Sequence, residues 1–268
     1  MTSAARTPLS LVLISFLFVV PAFAADPTPD FSVKTKAFDG SVVLDAGIKA
    51  DPALAADDLA EGKKWIAQNK IDAEQEYKDD RKSFSNGPWT YERKYAIRSV
   101  VGDRYVSILR SDYSNTGGAH PNSDVDTILW DKSSAKRISI RPFFTETADG
   151  GPTLTAIAAS ILGSLKAEKA ARGADAGDTD YVKSIQPTLL KLGAVTLAPS
   201  TEAGKSSGLA FHYPPYAVGA YAEGSYLAFV PWEKLKPYLT PEGVAIFGGA
   251  RPKADEGDKG DKGGDAPK

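Results

Sequence analysis

Two long segments of the chain carry apolar residues at the spacing of an amphipathic helix. The first spans residues 53–81 and follows Asp51-Pro52, a start signal because proline fits the first helical turn. The second spans residues 154–171, where isoleucine and leucine recur at every fourth position. Two shorter helices are predicted at residues 181–192 and at residues 232–239, the latter ending at Pro241.

Apolar and polar residues alternate with a period of two elsewhere, which predicts strands. The clearest case is residues 89–97 and 105–109, which flank the turn signal Gly102-Asp103 and predict an antiparallel hairpin. Because strands occur in groups with helices between them, the pattern predicts an α+β fold, an antiparallel sheet with helices packed mainly on one face. The other predicted strands are residues 31–38, 125–130, 137–141, 209–213 and 225–230.

The first 24 residues have the pattern of an export signal. Arg6 precedes an apolar run at residues 9–20, and Ala22-Phe23-Ala24 places small residues where a signal peptidase reads them. The run is shorter than the ~20 apolar residues that cross a bilayer. We therefore expect cleavage near Ala24 and a periplasmic mature protein without a membrane span.

The rest of the chain divides into three predicted parts, and its composition excludes some classes of function. Residues 25–88 hold the first predicted strand and long helix, and residues 89–240 form the predicted C-terminal domain. Residues 251–268 are charged and rich in glycine, which predicts a disordered tail. A protein that binds a nucleic-acid backbone needs an excess of positive charge to neutralise several phosphates. The formal charge of this chain is −2, so nucleic acid is not an expected partner. The absence of cysteine excludes a thiol nucleophile.

Two segments resemble a known family. Residues 112–122 read Asp-Tyr-Ser-Asn-Thr-Gly-Gly-Ala-His-Pro-Asn, and residues 211–224 hold a Pro-Tyr and Tyr-x-x-Gly box before a strand. Together with Arg-Pro-Phe-Phe at residues 141–144, they resemble the extracytoplasmic domain of unknown function in the ectodomain of the RsiV anti-sigma factor and in PdaC-type peptidoglycan deacetylases. The resemblance covers residues 31–239 and implies an α+β envelope domain that binds a protein in at least one case.

Candidate ligand contacts lie in these same two segments. Tyrosines offer a large rigid face with a polar end, which suits both sugars and protein surfaces. The alternative is a proline-rich corner where they fill the end of a sheet. Gly117-Gly118 likewise predicts either a ligand loop or a turn between two strands. The candidate residues are His120, Asn122, Tyr213, Tyr216, Tyr221 and Glu223.

The leading hypothesis is a non-catalytic binding or sensor-type module at the cell envelope, with peptidoglycan fragments or an envelope protein such as a lysozyme as its partner. No cofactor, metal site or catalytic residue is predicted. The alternative is a metal-dependent hydrolase or deacetylase that acts on wall polymers through His120, with His212 and a carboxylate from Asp112, Asp124 or Asp126 as the further metal ligands. No H-E-x-x-H or G-x-S-x-G motif supports it. A third hypothesis is a structural accessory held through the charged tail.

Overall fold

A computed structural model describes residues 28–174 and 179–256. The predicted leader lies outside the described residues, as does the part of the predicted tail that follows Glu256. Within the described part, the predicted α+β class is confirmed by helices combined with two mostly antiparallel sheets. No helix there combines the length and the apolar character needed to cross a membrane.

Nine strands form the two sheets of the described residues. In the larger sheet the strands follow chain order, and only β2 and β3 run parallel, because a helical crossover joins them. Its strands are β1 (Phe31–Lys34), β2 (Phe38–Leu44), β3 (Trp89–Val101), β4 (Tyr105–Asn115), β5 (Asn122–Asp131) and β6 (Lys136–Ile138). The smaller sheet contains β7 (Ala194–Leu197), β8 (Gly208–Tyr213) and β9 (Tyr226–Pro231).

Both predicted long helices are confirmed to within two residues at each end. The first is capped by Asp51, whose side chain accepts hydrogen bonds from the N–H groups of Ala53 and Leu54. Pro52 occupies its first turn, as the sequence predicts. The helices of the described residues are α1 (Ala46–Lys49), α2 (Pro52–Asp79), α3 (Pro152–Arg172), α4 (Tyr181–Ser184), α5 (Trp232–Leu235), α6 (Pro241–Ile246) and α7 (Lys253–Glu256).

Alternate side chains of β4 pack on opposite sides of the larger sheet. Val106 and Ile108 join Leu54 of α2 in one apolar cluster. Tyr105 joins residues of α3 and of the smaller sheet, such as Leu165, in a second cluster. The layers are therefore α2, the larger sheet, the smaller sheet and α3. The sequence predicts a single sheet, whereas a second sheet lies between the first and α3.

Strand β7 attaches the smaller sheet to the larger one. The N–H of Val195 donates to Thr127 Oγ1 at 2.9 Å, and the N–H of Leu197 donates to Ser107 Oγ at 2.9 Å. Ser99 Oγ donates in turn to the carbonyl oxygen of Leu197 at 2.6 Å. An unpaired buried N–H is costly, so these hydroxyls take the place of a neighbouring strand. The two sheets are thereby fixed together.

Several predicted boundaries were wrong. The predicted strand at residues 31–38 contains all of β1 and the first residue of β2, and the rest of β2 was missed because Asp39 and Gly40 look like a turn. Gly40 is required there, since a β-carbon would lie 2.3 Å from the Phe38 ring. The strand predicted at residues 137–141 ends at Ile138, before a 3₁₀ turn at Arg141–Phe143.

The short C-terminal helices also differ from the prediction. Pro241 begins α6 rather than only ending the element before it, because proline is favoured at a helix start. Residues 232–239 divide into α5 and a 3₁₀ turn at Lys236–Tyr238. Residues 181–192 divide into α4 and a 3₁₀ turn at Leu189–Lys191, with Pro187 between them.

The first six residues of the predicted tail have defined contacts. Asp255 of α7 forms an ion pair with Arg98 of β3 at 3.1 Å and a second pair with Arg251. Disorder was therefore the wrong prediction for residues 251–256, where ion pairs take the place of apolar anchors. Residues 257–268 lie outside the described part of the chain, and for them disorder stays a prediction.

Candidate functional site

Loops from the two sheets meet at one end of the molecule. The β4–β5 loop brings His120, and the β8–β9 loop brings Tyr216 and Tyr221. The rings of His120 and Tyr221 are stacked, with centroids 3.9 Å apart and an angle of 21° between planes. The Tyr216 ring lies 5.4 Å from that of Tyr221 and 6.0 Å from that of His120. We call these three residues the aromatic tip.

Hydrogen bonds in the aromatic tip assign the tautomer of His120. Its Nδ1 lies 2.9 Å from the carbonyl oxygen of Pro121, which also accepts from the Tyr221 hydroxyl at 3.1 Å. Because a carbonyl can only accept, Nδ1 carries the proton and Nε2 of the neutral ring is an acceptor. The Tyr216 hydroxyl therefore donates to Nε2, at 3.1 Å. Both ring nitrogens are occupied, and what remains available is the faces and edges of the rings.

The backbone of Tyr216 is in an unfavourable conformation. The N–H of Ala217 donates to the carbonyl oxygen of Pro214 at 3.1 Å, which closes a β-turn with Pro215 second and Tyr216 third. Tyr216 has φ +72°, and a turn with positive φ at its third residue normally has glycine there. The left-handed conformation costs a residue with a β-carbon about 1–2 kcal/mol. The Tyr216 side chain is nevertheless 63% exposed.

Tyr213 is not part of the aromatic tip. Its side chain is buried, and its hydroxyl donates to the carbonyl oxygen of Leu192. Burial raises the pKa of the Tyr213 phenol. For this tyrosine the structure matches the alternative interpretation, in which it fills the end of a sheet.

Glu223 supports the aromatic tip from behind. Its carboxylate accepts hydrogen bonds from Lys169 Nζ at 2.9 Å, from the Tyr226 hydroxyl at 2.5 Å and from the N–H of Ala220 at 2.9 Å. Partial burial acts to raise the pKa of Glu223, but the bonds from Tyr226 and Lys169 outweigh it and lower the pKa to about 2. Because Glu223 ends the 3₁₀ turn that begins at Tyr221, its bonds fix the backbone turn from which the Tyr221 ring projects.

Sequence reasoning missed Lys169, although a signal was present. Ile157, Ile161 and Leu165 form the apolar stripe of α3, and Lys169 occupies the next position at the same spacing of four. A cation on an apolar helix face predicts a buried partner, since an unpaired buried charge is very costly. Lys169 is buried, with its ammonium group over the ring of Tyr181.

The other polar candidates lie apart from one another. Asn122 is exposed at the start of β5, beside the aromatic tip. His212 is buried in β8, where its Nε2 lies 2.9 Å from Thr196 Oγ1. Asp112 is paired with Arg93. In residues 28–174 and 179–256, no three histidine or carboxylate side chains are placed to hold a metal ion.

An ionic cluster that the sequence did not predict lies between α2 and the larger sheet. Arg137 of β6 contacts Asp57 at 2.5 Å, Asp58 at 3.3 Å and Glu61 at 2.8 Å. Asp58 is fully buried, and its Oδ2 has no hydrogen-bond partner. Burial raises the pKa of Asp58 to about 7, and repulsion from Asp57 and Glu61 adds to this against the attraction of Arg137.

Comparisons with known proteins identify the fold. No protein-family model and no curated protein sequence matches this chain. A DUF3298 family protein from Pseudomonas aeruginosa PAO1 matches with a TM-score of 0.52 and 18% identity, over 83% of this chain and 98% of its own. A DUF3298 family member from Bacteroides fragilis matches with a TM-score of 0.51 and 16% identity, over 80% and 94%. This chain shares their fold.

The DUF3298-like fold agrees with the expected type of domain, one without an assigned activity. At 18% and 16% identity the likeness is one of fold alone. The narrower resemblance to the RsiV ectodomain and to PdaC-type deacetylases therefore stays a prediction from the two sequence segments.

Proposed function

We propose that this protein is an exported binding module of the cell envelope that contacts its partner through the aromatic tip. The main support for the proposal is that Tyr216 is exposed although its backbone has a positive φ that glycine would adopt without strain. Strained residues of this kind cluster at functional sites, where the surrounding structure holds them in place and the strain pre-organises the site. The Lys169–Glu223 pair further fixes the turn that carries the neighbouring Tyr221.

The partner that suits the aromatic tip best is the sugar strand of peptidoglycan. The internal hydrogen bonds of His120 and Tyr221 leave flat ring surfaces at the tip rather than charged groups. Tyrosine rings combine a large apolar face with a hydroxyl, which matches the apolar faces and hydroxyl edges of a pyranose ring. Export to the periplasm, proposed from residues 1–24, would place the protein beside this polymer.

The test is a titration of the mature protein with N-acetylglucosamine–N-acetylmuramic acid fragments, followed by thermal shift and by NMR of the tip residues. Binding that shifts the resonances of Tyr216 and Tyr221, and that falls at least about tenfold in Tyr216→Ala, supports the proposal. Lysozyme is included as a second probe. Binding of lysozyme without binding of any sugar fragment would contradict the sugar-strand assignment.

The geometry gives the hydrolase alternative less support. A general base at His120 would need a free ring nitrogen, whereas Nε2 already accepts the Tyr216 hydroxyl and Nδ1 donates to Pro121. Asp112, a predicted partner of His120, is paired with Arg93 instead. Release of product from wall fragments by the purified protein, abolished in His120→Ala, would replace the binding proposal with this alternative.

A further inference from the structure

A groove of about 410 Å³ lies next to the aromatic tip. The Pro214–Ala217 turn separates the two, since Tyr216 belongs to the tip while Tyr213 and Ala217 line the groove. The opposite wall comes from the segment between α4 and the 3₁₀ turn at Leu189–Lys191. We call this the Leu190 groove; its lining includes Ile185, Gln186, Leu190, Lys191, Tyr213 and Ala217.

Exposed apolar side chains lie in the groove and in the chain segments that form its walls. Leu190 is 98% exposed, although Leu192 two positions later is buried in the core. Val182 of α4 and Tyr216 of the adjoining tip are also exposed. These are three of the six large apolar side chains that are exposed in the described part of the chain. Apolar groups gathered in one place on a surface mark a binding site more often than single ones do.

Among the described residues, the lining of the groove contains a cation and no anion. Lys191 Nζ donates to Gln186 Oε1 at 3.1 Å, and Gln186 Nε2 donates to the carbonyl oxygen of Lys183 at 3.2 Å, so the amide is fixed. None of the residues that line the groove is a carboxylate. A ligand that places a carboxylate against Lys191 would therefore meet a complementary charge.

The floor of the groove is apolar and closely packed. The Tyr213 hydroxyl already donates to the carbonyl oxygen of Leu192, so the floor offers a ring and not a polar group. Gly193, with φ +110°, lets this ring approach the backbone, because a β-carbon there would lie 2.8 Å from it. A ligand thus finds an apolar floor and the Leu190 side chain, with Lys191 beside them.

We propose that the Leu190 groove binds a short peptide that carries a free carboxylate next to a small or branched apolar side chain. The inference rests on the proposed function, because peptidoglycan attaches peptides with carboxylates and alanine side chains to its sugar strand. The tip then holds the sugar while the neighbouring groove holds the peptide. Two contacts on one polymer act together, since the second binding event becomes intramolecular.

The experiment separates the charge of the peptide from its shape. The mature protein is titrated with N-acetyl-L-alanyl-D-glutamate and with its diamide, which has the same outline without the two charges, and backbone resonances are followed by NMR. The free acid is expected to shift resonances around Gln186, Leu190 and Ala217 and to bind about 5–10-fold more tightly than the diamide. Added salt should reduce this difference, because the ion pair is exposed.

Two lysine variants make the test specific. Lys191→Gln should remove the preference for the acid, and Lys191→Arg should restore it. Lys183→Gln is the matched control, because it removes an equal charge on α4 from a residue that pairs with Asp180 outside the groove. Acid and diamide binding with equal affinity would overturn the inference. So would an unchanged preference in Lys191→Gln.

The two proposals fail in different ways. A peptide-free N-acetylglucosamine tetramer probes the aromatic tip alone. If the tetramer does not bind but the acidic dipeptide binds through Lys191, the sugar-strand proposal fails and the groove inference stands. If the tetramer binds and the dipeptide does not, the inference about the groove is wrong and the proposed function is retained.

Discussion

Lys169 Nζ and Glu223 Oε2 lie 2.9 Å apart and join α3 to the turn that carries Tyr221. The lysine is buried, and the carboxylate also accepts hydrogen bonds from Tyr226 and Ala220. The buried side of the smaller sheet is thereby connected to the turn that carries the half-buried ring of Tyr221. The same loop is also anchored by Arg172 of α3, which donates to the carbonyl oxygens of Glu223 and Ser225, and by the Tyr221 hydroxyl, which donates to the carbonyl oxygen of Pro121.

Lys169→Met should destabilise the protein by about 2–3 kcal/mol, because it leaves the Glu223 carboxylate without its cation. This is below the cost of breaking a fully buried pair, since the Glu223 side chain is 21% exposed. The free energy of unfolding in urea measures the effect. Lys183→Met removes an exposed lysine and should change it by less than about 0.5 kcal/mol. Equal effects of the two variants would contradict the assigned role of Lys169.

Two substitutions of Tyr216 separate the free-energy cost of its backbone conformation from the contribution of its ring to binding. Tyr216→Gly and Tyr216→Ala both remove the ring, so both should lose binding of wall fragments to the same extent. Only glycine relieves the positive φ, and the glycine variant should therefore be more stable than the alanine variant by about 1 kcal/mol.

The control for this pair is Asp103→Gly, at another residue with positive φ. It should raise the free energy of unfolding without any change in binding. Full binding by Tyr216→Gly would show that the ring is not a contact.

The long elements could be predicted because their signals are local. Asp51 and Pro52 mark the start of α2, and the turn at Gly102-Asp103 connects two strands that alternate clearly. Strand β7 could not be predicted, because its four residues are stabilised by Ser107 and Thr127, which lie far away in sequence.

The candidate site was predicted only as separate pieces. Tyr216 and His120 are 96 residues apart, and only the docking of one sheet on the other brings their loops together. The sequence also could not distinguish Tyr213 from Tyr216, because both are tyrosines in the same proline-rich segment. The β-turn at residues 214–217 distinguishes them, because the Tyr213 ring before it is in the core and the Tyr216 ring within it faces solvent.

Ser107→Ala should weaken the contact between the two sheets. The hydroxyl of Ser107 accepts the N–H of Leu197, and its removal leaves that buried donor unpaired at a cost of about 1–3 kcal/mol. Denaturation followed by tryptophan fluorescence measures the loss. Ser114→Ala is the matched control and should have little effect, because Ser114 is a half-buried serine near the C-terminal end of the same strand. No difference between the two serines would contradict the role of the hydroxyl.

The buried carboxyl of Asp58 should make stability depend on pH. Its pKa is raised from 3.8 to about 7 on folding, so between these values the folded state binds more protons than the unfolded state. The stability that this group contributes is full below pH 3.8, falls as the pH rises through this window, and is lost above about pH 7. From pH 5 to pH 8 the wild type should therefore lose about 2–3 kcal/mol on account of Asp58.

Asp58→Asn removes this dependence, because an amide is neutral throughout and can still accept a hydrogen bond from Arg137. Urea denaturation of both proteins at pH 5 and pH 8 gives the comparison, and the two histidines cancel because both proteins contain them. Glu61 and Glu223 have lowered pKa values and titrate with the opposite sign below this range. The variant should be more stable than the wild type at pH 8, by a margin that shrinks at pH 5. A margin that is constant with pH would mean that Asp58 is ionised throughout, with its charge fully balanced by Arg137.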